Sequence, residues 1–105
     1  MTEPKTTPEY SRELDVLLED CTVWSNGCVD LSVDDTREHG LKNAVVDVQI
    51  ITDSGAFPLP DVRVSATESN RTFRIPKRMR DRYGVPCGNG ASVDVRVVGV
   101  VEDGE

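Results

Sequence analysis

A chain of 105 residues, 37% of them hydrophobic, has room for one modest core and is too apolar for a disordered polymer. Acidic residues outnumber basic ones 19 to 12, giving a net charge of -7, so general affinity for polyanions is excluded. Apolar runs are too short for a membrane-spanning helix and MTEPKTTPEYSRE lacks signal-peptide form, so a soluble, cytoplasmic protein without a membrane partner is expected.

Three lysines against nine arginines, among so many carboxylates, suit a halophilic source. At molar salt the Debye length is about 3 Å, so any charge-based recognition there has to work at contact.

Taken in chain order, residues 1–13 and 102–105 read as disordered, and 14–101 as one domain; Ser11 alternatively caps a short helix carrying Leu14, Leu17 and Leu18. A strand over Cys21–Trp24 meets the hairpin signal Asn26-Gly27. The strand after it points Val29 and Leu31 inward and Asp30 outward. A short helix follows, closed by Gly40, and then a strand over Val45–Ile51. Residues 53–60, within TDSGAFPLP, read as a linker.

The order then repeats: a strand over Val62–Thr67, a turn at Asn70-Arg71, a strand with Phe73 and Ile75 inward and Arg74 outward. A helix begins near Pro76, turns Met79 and Tyr83 to the core, and ends at Gly84. Ser92–Val101 is the last strand. The repeat is visible residue by residue: Ser25–Leu41 matches Ser69–Val85 at an offset of 44, and Ala44–Ile51 matches Ala91–Val98 at 47. The expected fold is thus mainly β (α+β), a small barrel of two repeats, 14–52 and 61–101.

Three cysteines and His39 have no zinc-ligand spacing, and the odd cysteine count argues against a disulfide framework; no metal or other cofactor is expected. His39 reads as a partly buried ring in the place of Tyr83. No nucleophile–base pair or phosphate-cradling loop is present, so the chain does not read as an enzyme. Asp47 and Asp94 are repeat equivalents that read as solvent-facing strand residues.

The most informative stretch is Arg71–Arg82, RTFRIPKRMRDR, with six positive charges and one negative in an acidic chain. Together with the hairpin at Ser69-Asn70, the strand TFRIP, the helix KRMRDRYGV, the loop PCGNG and the strand SVDVRV, it resembles the AbrB/MazE/SpoVT class of swapped-hairpin DNA-binding domains. That resemblance covers under half the chain well, and the first repeat more weakly, where Ser32 stands in place of the proline. It implies two interleaved ββαβ units forming one barrel, here a pseudo-dimer within one chain; a double-psi β-barrel is the alternative. It further implies a transcriptional regulator or antitoxin that contacts double-stranded DNA through Arg71, Arg74, Lys77, Arg78, Arg80 and Arg82, residues whose planar guanidinium forks suit phosphate and guanine.

The first repeat reverses these charges. Asp30 matches Arg74, Asp34 matches Arg78, Glu38 matches Arg82, and Arg37 matches Asp81. Three expectations follow. The basic repeat alone meets DNA; or the acidic face of one chain docks on the basic face of another; or the domain binds a protein partner and no nucleic acid.

Overall fold

The computed structural model describes residues 10–67 and 70–104. The chain runs β1 (Arg12–Thr22), β2 (Cys28–Asp30), α1 (Val33–Glu38), β3 (Val45–Thr52), β4 (Gly55–Arg63), β5 (Ser65–Ala66), β6 (Arg71–Arg74), α2 (Lys77–Tyr83) and β7 (Ser92–Glu102). Two antiparallel sheets form, ordered β1-β7-β3-β4 and β2-β6-β5. Together they make a small, mostly β, barrel-like α+β fold around one apolar cluster. Among the described residues no helix is long and apolar enough to cross a membrane.

Alternation places the core. Val46, Val48 and Ile50 of β3 are buried with Val93, Val95 and Val97 of β7, while the residues between them stay partly exposed. Val29, Phe73 and Ile75 close the cluster from the small sheet. Each such side chain contributes about 1.5–3 kcal/mol on burial, so the valine-rich strands are the main source of stability.

The long ladders join the two repeats, while β5 with β6 and the bridge from Val23 to Val29 pair within them. β1 pairs with β7, and β4 pairs with β3. At the centre of the small sheet Val29 faces Phe73, and at the centre of the large one Gln49 faces Arg96. These are the residues 44 and 47 apart that the repeat alignment equates. Cys28 opposite Arg74 is balanced by Asp30 opposite Thr72, and Val48 opposite Val97 by Ile50 opposite Val95. An internal two-fold axis thus passes through both sheets.

The axis extends to the irregular positions. Asp20 and Asp61 both take positive φ, 55° and 54°, at bulges in β1 and β4. The Asp20 N–H donates to Asp94 Oδ1 at 3.0 Å, and the Asp61 N–H donates to Asp47 Oδ1 at 2.8 Å. A bulge leaves a backbone donor outside the ladder, and a carboxylate on the facing strand satisfies it. Asp47 and Asp94 are therefore bulge caps, not idle solvent-facing residues. Asp47 also accepts the Tyr10 hydroxyl at 3.0 Å.

Several sequence expectations change. Leu14, Leu17 and Leu18 lie on β1, not on a helix capped by Ser11; the Ser11 N–H joins the sheet through the Val100 carbonyl at 2.8 Å. Residues 10–13 and 102–103 are ordered: Asp103 accepts from Ser11 Oγ at 3.0 Å and Arg12 Nε at 2.9 Å, which pulls its carboxyl below the usual value. The expectation for residues 1–9 and 105 lies outside the described residues. The linker assigned to 53–60 is a tight turn followed by most of β4. Pro58 and Pro60 fit there because β4 is an edge strand, where a missing N–H interrupts no ladder.

The first hairpin differs in detail too. Trp24 O accepts from the Gly27 N–H and Trp24 N–H donates to Cys28 O, so Ser25, Asn26 and Gly27 form a three-residue loop with positive φ only at Gly27. Helix α1 keeps its register under a Ser32 cap, but it buries Thr36, whose hydroxyl donates to the Val33 carbonyl, and leaves His39 half-buried beside Glu38.

Candidate nucleic-acid interface

The basic stretch folds as β6, a bend at Pro76, and α2. On β6, Phe73 must point inward, and period-two geometry then turns Arg71 inward and Arg74 outward. Arg71 is 6% exposed. Its Nη1 donates to the carbonyls of Thr67 and Asn70, tying down the ends of the β5–β6 hairpin. It is not available to an external phosphate, contrary to the expectation of a turn arginine at the surface. Arg74 is exposed, and its Nε donates to the Asn26 carbonyl at 3.1 Å.

On α2, Met79 and Tyr83 pack against the core four residues apart, and Tyr83 stacks on Phe57 with ring centroids 4.1 Å apart. That fixes Lys77, Arg78 and Arg82 on the exposed side. Lys77 pairs with Asp81 at 2.9 Å, one helical turn away. The Arg82 guanidinium lies 5.5 Å from the Tyr83 ring centroid. Arg78 has no partner among the described residues.

Arg80 takes a different path. Its Nε donates to the Ile75 carbonyl at 2.9 Å and its Nη1 approaches the Cys87 sulfur at 3.8 Å. A Cβ on Gly27 would come within 2.5 Å of Arg80 Nε, so the bare glycine in the first hairpin makes room for the arginine of the second repeat. Arg80 stands at the repeat position of the buried Thr36. Of the six candidates, Arg74, Lys77, Arg78 and Arg82 form an exposed basic face; Arg71 and Arg80 brace the fold.

The axis carries this face onto its opposite. Asp34 and Glu38 are exposed on α1 where Arg78 and Arg82 are exposed on α2, and Asp30 lies on β2 where Arg74 lies on β6. Asp30 accepts from Trp24 Nε1 at 2.8 Å, and Trp24 itself is 53% exposed. An exposed tryptophan on the hairpin was not singled out by sequence patterning; its place one residue past the buried Val23 was the available signal.

Helix dipoles agree with both sets of charges: α1 has Asp34 and Asp35 in its first turn, and α2 has Arg80 and Arg82 in its last. Past the C-terminal end of α2, an open cleft of about 460 Å³ is lined by Gly84 and by Asp20, Asp53 and Asp94 together with Thr52, Ser54 and Ser92. Its sign disfavours phosphate. Beside it the Cys21 thiol is pushed up to about 12 by burial first and by the nearby carboxylates second.

The architecture defines a small barrel-like α+β protein with two antiparallel sheets. No family model matches the chain, and no curated protein matches it. Its fold is similar to that of PHS018 from Pyrococcus horikoshii, known from a solution structure. The TM-score is 0.60 at 19% identity, across 93% of this chain and all of that one. At that identity the likeness is one of fold.

Proposed function

We propose that the chain is an AbrB-like DNA-binding regulator that meets duplex DNA through Arg74, Lys77, Arg78 and Arg82. The observation that carries this reading is the concentration of exposed cations on one strand–helix unit of a chain whose net charge is -7. Arginine dominates the face, and its fork suits phosphate oxygens and guanine edges. Arg71 and Arg80 are turned into the fold, so the contact is smaller than the sequence alone suggests.

The test is binding to a pool of duplex DNA as salt is raised. Four phosphate contacts give a slope of about -3.6 in log affinity against log salt, whereas six give about -5.4. Arg74→Glu/Arg78→Glu abolishes binding while the fold persists by circular dichroism. Absence of binding by the folded wild type at low salt would reject the regulator reading in favour of a protein-interaction or antitoxin-like module.

A further inference from the structure

The internal axis passes through the small sheet and gives its outer face a two-fold pattern. Residues 28–30 and 72–74 alternate, so Val29 and Phe73 point into the core while Cys28, Asp30, Thr72 and Arg74 face out. Asp30 and Arg74 flank the axis on opposite sides. The helices entered at Ser32 and Pro76 extend the pattern, with Asp34 and Glu38 exposed on one side and Arg78 and Arg82 on the other.

A surface whose two halves are related by a two-fold and opposite in sign is complementary to itself. Turning a second copy over, about an axis perpendicular to the internal one, sets each acidic half against a basic half. Both contacts form at once, and the assembly closes at two chains instead of growing into a filament. The exposed Trp24 lies on the acidic side beside Asp30, so in this arrangement its ring meets the partner's arginines, the pairing aromatic faces favour. Tryptophan and arginine are also the residues that most often anchor interfaces.

We propose that two copies of this chain associate through the outer face of the β2-β6-β5 sheet and the exposed sides of α1 and α2, acidic half to basic half. Surface charge pairs are individually weak, so the dimer is reversible and concentration-dependent. It does not require the DNA reading, although it covers the same arginines and so competes with any polyanion for them.

The experiment is sedimentation of the full chain across a concentration series at about 0.1 M and about 1 M salt, where the Debye length falls from about 10 Å to about 3 Å. Fluorescence of Trp24, the one tryptophan in the chain, is read in parallel. The wild type is expected to dimerise at the lower salt and to dissociate at least tenfold more readily at the higher. Asp34→Arg/Glu38→Arg makes both halves basic, and Arg78→Glu/Arg82→Glu makes both acidic, so each variant alone is monomeric. Their equimolar mixture forms a heterodimer at least tenfold tighter than either homodimer. Circular dichroism confirms that each variant is folded, and further exposed pairs (Asp30→Arg, Arg74→Glu) stand in for one that is not. A monomeric wild type at both salts overturns the proposal. So does a wild-type dimer whose folded charge-reversed variants fail to pair, since association would then use another surface.

Discussion

The two repeats share a backbone plan and divide its uses. The first ends its hairpin in a bare glycine, buries a threonine in its helix, and carries acids outside; the second threads Arg80 past that glycine and carries bases outside. The difference teaches where symmetry is enforced. It holds where strands pair across the axis and where Asp47 and Asp94 cap matching bulges, because a backbone donor without a partner is costly on either side. It lapses on the outer helix faces, where solvent accepts either sign.

Gly27 offers the sharpest way to break the comparison. Gly27→Ala forces a side chain into positive φ and toward both Arg80 and the Ile75 carbonyl oxygen, 2.9 Å away. A loss of about 2–3 kcal/mol in urea unfolding is expected. Gly84→Ala has a similar φ of 63° with nothing within 4 Å, and should lose only about 1 kcal/mol. Equal losses would show that Arg80 does not depend on the gap.

The bulge caps sharpen the comparison at smaller scale. Asp94→Ala removes one hydrogen bond to a backbone donor and costs about 1 kcal/mol, while Asp47→Ala also releases Tyr10 and costs about 2 kcal/mol. Chemical denaturation of the two variants side by side measures the difference.

The last effect vanishes at neutral pH and emerges only in alkali. The folded state raises the Cys21 pKa from 9.0 to about 12, so its protonated thiol is favoured by folding. That contribution is intact below pH 9 and declines as pH rises toward about 12, because the unfolded chain ionises first. Cys21→Val should flatten this part of the stability profile. At neutral pH the partly exposed Cys28 and Cys87 should react with a thiol reagent before Cys21 does.

Much of the fold was legible because the hydrophobic alternation around Val29, Phe73, Val48 and Val95 survives in both repeats, and the two offsets between them are the registers of the central ladders. What stayed hidden depended on distant partners. The Pro58–Pro60 segment looks like a linker until its strand is known to lie at a sheet edge. The charged strand β1 reads as tail and short helix until β7 is laid beside it. Within the basic stretch, the inward turn of Arg71 followed from its spacing to Phe73, whereas the fate of Arg80 hung on a glycine 53 residues earlier.

The strand order also sets a schedule for making the protein. β1 leaves the ribosome early, yet its partner β7 is the final strand, some 80 residues later. At about 5–20 residues per second, that is a wait on the order of 4–16 s. Throughout it Leu14, Val16, Leu17 and Leu18 have no ladder to join. Glu13, Asp15, Glu19 and Asp20 surround them, and such charges discourage a bare strand from sticking to another nascent chain. The acidity of this segment thus serves the protein before it has folded.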